Sequence, residues 1–525
     1  MPRVNLTCFL IKEDYEEFVD VLKNDVHYDV FQLKAEHNLD GVIVVGTNSA
    51  QPPQWLEILQ VMSEDTIQDL TNSSTRAVVM VRCEQRIFVY PFGFGRYLIN
   101  DEAIVKDFGI KVVLNSVLPH KLRSIDTATV NEITIHSRTQ TSKTTSVNSF
   151  GIDVVKDFLK SVTGEPANTQ LGKVITGKES IQLTYEFEES FDEFNILCTH
   201  LLDRYCSNNY KENFSWVDNL QLVNDSLLKN LLNQKLLEKL HQREDNMLHI
   251  APPEIVDWSN IGGFTFTPNS HTDDDLDINN YFSYINRFVR FELDHIKRHY
   301  VYVWDVGKEN HIAKWKLYDC FVFETDYEQN KYILTMGSWF KVNEEFASLV
   351  EGYIREISDA VLTLPECGAN EKEGEYNLRV GNENEDMITL DTKNVNYNGS
   401  QIEICDLMTS SGQLIHVKPW KSSSTLSHLF SQGRVSAESL FQDKEFRILS
   451  NAKVNEINEV YAHHIKVDDF DPTELEVIFA IIDKNDRDLH ERLPFFSKLN
   501  MMQTVKHLRN LRYNVSKCKI RRVID

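Results

Sequence analysis

Long apolar runs are missing from this sequence. The segment after Met1, PRVNLTCFLIKEDYEEF, is cut short by charge, so neither a secretory leader nor a membrane span is expected, and a cytoplasmic protein is. Paired cysteines are missing as well. Cys8, Cys83, Cys198, Cys206, Cys320, Cys367, Cys405 and Cys518 are scattered without a CxxC spacing, which points to reduced thiols rather than disulfides or a zinc knuckle. Positive charge is in deficit: 79 acids face 55 Lys and Arg, a formal net charge of −24. A surface that coats nucleic acid generally is thereby excluded, and any phosphate-binding surface has to be local. A true nucleotide loop is absent too. Gly172 to Lys178 has the phosphate-loop spacing, but Glu179 stands where a Ser or Thr should meet magnesium, and SIQLTYEFEE after it reads as a strand. Asp107-Phe108-Gly109 spells the kinase triplet with no glycine-rich loop or His-Arg-Asp before it.

What is there is ample material for several cores. A chain of 525 residues with 42% hydrophobic and 26% charged residues is expected to form two or three domains. We divide it at 1–166, 167–342 and 343–525, with mixed α/β regions preceding the last. In the first, Arg3 to Ile11 and Gly41 to Val45 read as strands and Glu13 to Lys23 as a helix. Arg76 to Phe92 reads as a hairpin about Glu84-Gln85. Phe92-Gly93-Phe94-Gly95-Arg96 could hold a phosphate in a nucleotide-binding switch, though a turn beside the core is favoured. Residues 137–149, rich in Ser and Thr, are expected to form an exposed loop. In the second region, Asp225-Ser226 caps a leucine-striped helix that is core or a partner helix. His295 and His299 share a helix face, but without a third ligand they are expected to be exposed histidines. Tyr300 to Asp305, Trp315 to Glu324 and Lys331 to Phe340 read as aromatic strands of unassigned role.

The richest stretch is Ile402 to Gly433. Ile402 to Leu407 and Gln413 to Val417 alternate as strands about the turn at Ser410 to Gly412. A pivot near Ser411 sets Asp406 across from His416, and the period of two puts Lys418 on the same face. Around it, Glu344 to Leu362, Ser424 to Phe441 and Met501 to Leu511 read as helices. Met387 to Val395, Glu474 to Asp483 and Asn514 to Val523 read as strands.

This order, α-β-β-β-α-β with Asp on the second strand and x-Lys on the third, resembles the PD-(D/E)xK nuclease superfamily. The resemblance implies a restriction-endonuclease-like fold. Its metal would be Mg²⁺ or Mn²⁺, held by Asp406, the Val417 carbonyl and one more oxygen from Asp391, Glu375 or Glu403. Asp391 is ranked first of these. Glu403 is ranked last, because strand alternation points it away. Lys418 would be the catalytic cation, with Ser427 and Gln432 on the following helix orienting phosphate or lysine. His416 departs from the pattern: it holds the place of an acid, and imidazole suits softer metals than magnesium. The site is therefore Mn²⁺-like, completed by another acid, or inactive.

The whole chain is also similar to a sporadically distributed family of uncharacterised bacterial proteins, catalogued as a domain of unknown function. FGFGRYL (Phe92 to Leu98), FGIKVVLNSV (Phe108 to Val117), APPEIVDW (Ala251 to Trp258), IEICDL, LIHVKPW, LSHLFSQG and LPFFSKLNM (Leu493 to Met501) carry that similarity. Its patchy distribution implies mobile elements or defence against phage and plasmids. The leading expectation is a DNA nuclease of bacterial defence, RNA remaining open as substrate, acting as a homodimer or with a partner protein. Lys506, Arg509, Arg512, Lys517 and Lys519 in the basic final stretch are its candidate nucleic-acid contacts. The alternative is a decayed nuclease fold that only binds nucleic acid or protein.

Overall fold

A computed structural model of the chain describes residues 3–523 apart from 25, 48–51, 54, 64–66, 68–69, 72, 130–134, 151, 153–156, 187–192, 246, 255–260, 269–271, 287–290, 309, 398–399 and 421–422. The protein is of mixed α/β class, with several sheets and many helices. It gathers into two compact units: Met1–Ala128 with His136–Val217, and Thr129–Ile135 with Asp218–Asp525.

The first unit is built on a ten-stranded sheet. Arg3–Leu10 lies at its middle, between Arg86–Gly93 and Ile181–Glu186. Strand alternation sorts the side chains: Leu6, Cys8 and Leu10 join Phe108, Val112 and Leu197 in one core, while Phe9 joins Val44, Val78 and Met80 in another. The hairpin of Thr75–Cys83 with Arg86–Gly93 turns at Glu84 (φ 48°) and Gln85 (φ 65°), the two positive φ values of a type I′ turn. After it, a Cβ on Gly95 would lie 1.9 Å from the Ala77 carbonyl oxygen. The glycine turn therefore packs on the sheet. The segment after Lys178 is a strand, and Glu179 pairs with Arg96 and Lys106.

Two expectations fail here. Glu13 to Lys23 forms only a 3₁₀ turn, Phe18–Val21. The chain is tied instead to 98–104 by Lys12 N–H to Ala103 O and Lys23 N–H to Leu98 O, so tertiary pairing overrides helical pattern. The Ser/Thr-rich segment lies in a strand, Ile135–Thr145. It sits at the end of the sheet order, where β-branched threonines suit a polar edge.

Among the described residues, the second unit holds three sheets and a two-stranded ribbon. One sheet orders Leu220–Leu222, Ser338–Val342, Asn330–Thr335, Phe321–Tyr327 and Leu248–Ile250. The helix Ser226–Gln242, capped by Asp225 on the Leu227 and Leu228 N–H groups, buries Leu232, Leu236 and Leu240, so its stripe is core. A three-stranded sheet joins Ile261–Thr265, Tyr300–Asp305 and His311–Lys316. The strand expected from Trp315 to Glu324 is broken by the turn Leu317–Cys320. His299 accepts or donates with the Tyr281 hydroxyl at 2.9 Å, and His295 accepts from Glu292 N–H. Both histidines are thus engaged locally.

The third sheet carries the site. Its elements are α1 (Glu344–Glu356), α2 (Glu373–Glu383), β1 (Met387–Thr389), β2 (Leu407–Thr409), β3 (Gln413–Pro419), α3 (Ser423–Gln442), β4 (Glu476–Asp483), α4 (Phe495–Asn510) and β5 (Asn514–Arg521). The strands lie in the order β1-β2-β3-β4-β5, antiparallel through β3 and parallel beyond it. Strand β4 is buried along almost its whole length, as a parallel strand covered on both faces must be. On one face Tyr376 and Val380 of α2 pack on Leu407, Ile415, Val417 and Ile478. Phe430 of α3 meets Phe479 on the other. The strand expected over 387–395 splits, Val395–Tyr397 pairing with Ser400–Ile402 in the ribbon. The strand expected over 402–407 is interrupted between Ile402 and Leu407.

Candidate metal centre

Leu407 pairs with Ile415 and Met408 with Leu414, which sets Asp406 across from His416 as the turn spacing requires. The Asp406 N–H donates to Ile415 O at 3.0 Å, and its Oδ2 accepts from Val417 N–H at 2.7 Å. Only 3% of Asp406 is exposed. Asp391 follows β1, its N–H donating to Asp406 O at 3.1 Å. Glu403 sits in the break between the ribbon and β2, where strand alternation no longer holds, and its Oε1 accepts from Thr392 N–H at 2.7 Å. That break corrects the ranking of Glu403 as last: one oxygen each from Asp391, Glu403 and Asp406 lies within 4.8 Å of the others.

Supporting groups surround the three acids. Asn377 of α2, fully buried, donates to Asp391 Oδ2 at 3.0 Å and Asp406 Oδ1 at 3.4 Å. Lys418 Nζ lies 2.6 Å from Glu373 Oε1, and Gln432 Nε2 donates to Glu403 Oε2 at 3.4 Å. A cavity of about 400 Å³ is lined by Glu373, Asp391, Glu403, Lys418, His428 and Gln432, among others. Just past β3, Trp420 N–H donates to Ile482 O of β4 at 2.8 Å. Alternation then turns the Val417 N–H and carbonyl together toward Asp406.

The electrostatics are those of crowded anions. Burial raises the Asp406 carboxyl well above its usual range; Val417 N–H opposes this, and the charges of Glu403, Glu373 and Asp391 add to it. Burial also raises Glu403, opposed by Thr392 N–H and reinforced by Asp391. Burial alone would lower Lys418, but the hydrogen bond and charge of Glu373, with Asp406 and Glu403, leave it raised. Such a set of carboxylates is what a hard divalent cation would relieve, and all its donors are oxygen.

His416 does not join the cluster. It is 2% exposed, its ring lies 6.3 Å from that of Phe479, and its Nε2 has no hydrogen-bond partner among the described residues. Burial, and then Lys418, push its pKa down to about 3. Burial keeps it neutral and packed, and the third oxygen of the cluster is that of Glu403. Glu375 stands apart, accepting from Lys372 N–H at the start of α2. The side chain of Ser427 lies outside the described residues. Of the basic residues, Lys506 and Arg509 flank the Tyr353 ring at 5.0 and 5.9 Å. Lys517 is turned inward to Ile357 O and Asp359, Lys519 meets Arg487 O, and Arg512 (φ 72°) occupies the turn after α4. Glu373 and Asn377 were not among the expected site residues; their spacing of four, one helical turn apart, is the only trace of them in the sequence.

Fold and site together define a mixed α/β protein with a carboxylate cluster, Asp406 buried and Asp391 and Glu403 half-buried, that could coordinate a metal ion. The chain belongs to a family of unknown function, DUF6119, matched over residues 6–521. No curated protein and no solved structure matches it, and no PD-(D/E)xK motif is identified. Among the described residues, no helix is long and apolar enough to cross a membrane.

Proposed function

We propose that this chain is a metal-dependent nuclease that hydrolyses DNA phosphodiester bonds in bacterial defence against phage or plasmids. The observation that carries the reading is the convergence of Asp391, Glu403 and Asp406, with Asp391, Glu403 and the Glu373-held Lys418 lining one cavity and Asp406 buried behind them. The element order from α2 to β4 supports it, since the PD-(D/E)xK superfamily that it resembles uses such a hairpin. Asp406, Asp391 and Glu403, with the Val417 carbonyl, would hold Mg²⁺ or Mn²⁺. The ion, when bound, supplies Lewis-acid polarisation of a phosphoryl oxygen and a more acidic water.

The chain's own groups then have defined tasks. Lys418, kept protonated by Glu373, is a cation for the phosphate and not a base. Asn377 fixes Asp391 and Asp406, and Gln432 fixes Glu403. Lys506 and Arg509 are assigned to the nucleic-acid backbone, residues 343–525 to catalysis, and 1–166 and 167–342 to sensing or binding. The defence setting rests on the family's patchy distribution. One observation favours a second reading, a decayed and purely binding fold: the place of an acid is filled by the buried, neutral His416.

Plasmid cleavage decides between them. With Mg²⁺ or Mn²⁺ the wild type should nick or cut supercoiled DNA, and EDTA should stop it. Asp406→Asn and Lys418→Ala should each lower the rate by about 100-fold or more, whereas Glu375→Gln should cut at nearly the wild-type rate. A wild type that cuts neither DNA nor RNA with either metal would leave only the binding fold, and an Asp406→Asn variant that cuts as well would take catalysis away from this cluster.

A further inference from the structure

The three-stranded sheet of the second unit has two unlike faces. Val301 and Val303 are buried with Phe264 and Trp315 in the core. The alternate residues Tyr300, Tyr302 and Trp304 occupy the other face and are half-buried. Register sets Tyr300 beside Lys316, Tyr302 beside Lys314 and Trp304 beside His311. Lys314 Nζ lies 3.8 Å from the centroid of Tyr300 and 5.3 Å from that of Tyr302. His311 fills the next interval, 4.9 Å from Tyr302 and 4.1 Å from Trp304.

The result is a continuous row of rings, with the Lys314 ammonium and the His311 imidazole set between them. Cross-strand pairs of this kind stabilise any sheet, but stability does not call for three large rings in a row on the outer side, where Thr or Val would serve. Nor does the composition favour it. In a chain of net charge −24, the cross-strand partners of these rings are two lysines and a histidine on one side and the uncharged Thr265 and Gly263 on the other. Lys314 is exposed and makes no ion pair among the described residues. Rings two residues apart on a strand stand roughly 6.6 Å apart, so splayed bases would lie one to a ring on its solvent side, Lys314 and His311 occupying the intervals. Cations between them are placed to meet the phosphates.

We propose that this face is a stacking platform for single-stranded nucleic acid, with bases laid on Tyr300, Tyr302 and Trp304 and phosphates drawn by Lys314 and Lys316. It does not depend on the carboxylate cluster being catalytic. The platform is sequence-tolerant, because every base has a face to stack and no groove edge is read.

The test is fluorescence polarisation of a labelled 12-nucleotide oligothymidylate on the full chain, in EDTA so that cleavage plays no part. Wild type should bind, and Tyr302→Leu should weaken binding by about tenfold. Lys314→Gln should reduce the slope of log affinity against log salt by about 0.7. Thermal melting shows whether each variant is folded; if Tyr302→Leu is not, the surface substitution Lys314→Gln decides. An oligomer of abasic sites should bind about tenfold more weakly than oligothymidylate. No binding by wild type, variants that bind like it, or abasic sites bound equally would each overturn the platform. A nuclease that cuts but fails this test keeps its catalytic site and loses only this surface.

Discussion

His416 shows how one residue can look catalytic and serve packing. A Cβ on Gly433 would stand 3.2 Å from its Cδ2, so α3 presses directly on the ring. With a folded pKa of about 3 against an ordinary 6.5, His416 takes up its proton later in the folded state than in the unfolded one. Its stabilising contribution is complete above pH 6.5 and lost as the pH falls toward 3, at up to about 1.4 kcal/mol per pH unit. His416→Leu should abolish that dependence and remove an unpaired buried nitrogen. In urea titrations from pH 4 to 7.5, the variant should gain on wild type steadily below pH 6.5; parallel profiles would refute the assignment. Legibility at this scale followed the strands. Asp406 and Lys418 were readable because a period of two relates them across a hairpin. Glu403 was not, because the chain leaves the strand at that point and alternation ceases to predict direction.

Among the elements, α2 is the one that sequence reading missed and the site needs. It carries Glu373 and Asn377 on one face, and Glu371 grips its Arg379 through two hydrogen bonds of 2.7 and 2.9 Å. Its sequence, EGEYNLRVGNE, buries few apolar side chains, Tyr376 and Val380 among them, and contains two glycines. A helix so weakly marked is formed by tertiary packing, not by propensity. Gly381 gives the clearest measure of that packing. Alanine is normally better in a helix by about 1 kcal/mol, yet a Cβ here would lie 2.0 Å from Thr389 Oγ1 and 3.2 Å from the Thr389 nitrogen. The close approach to β1 should win. Gly381→Ala is expected to destabilise by about 1–3 kcal/mol and to weaken Mn²⁺ binding by displacing Asn377. Melting and metal titration check this, and a variant that melts higher would show that no such approach exists. By contrast α3, β4 and β5 were readable almost to their ends, β4 because its apolar run is continuous and buried.

Across the second unit, the sheet that holds Phe321–Tyr327 is fastened to the N-terminus of α4. Pro494 precedes α4 and offers no side-chain cap. Glu324, from the other sheet, takes its place by accepting from Phe495 N–H at 2.8 Å and Phe496 N–H at 3.2 Å. No local rule finds a cap 171 residues away, so this joint was invisible in the sequence, and regions divided there at residue 342 pack as one unit. Burial raises the Glu324 pKa to about 7, with the two N–H groups and Lys331 opposing. A raised carboxyl binds its proton more tightly when folded. Its favourable contribution is therefore complete below the ordinary value of 4.5 and is lost as the pH rises through about 7. Glu324→Gln keeps an acceptor for one of the two N–H groups and sets an amide NH2 against the other, so it should flatten stability between pH 4.5 and 7 at a lower overall level. Glu324→Ala strands two buried donors, at a cost of about 1–3 kcal/mol or more. Hydrogen exchange followed by mass spectrometry should then show faster exchange in Phe321–Tyr327 and in α4 together. Acceleration confined to α4 would mean that the two regions open separately and that Glu324 caps a helix without coupling them.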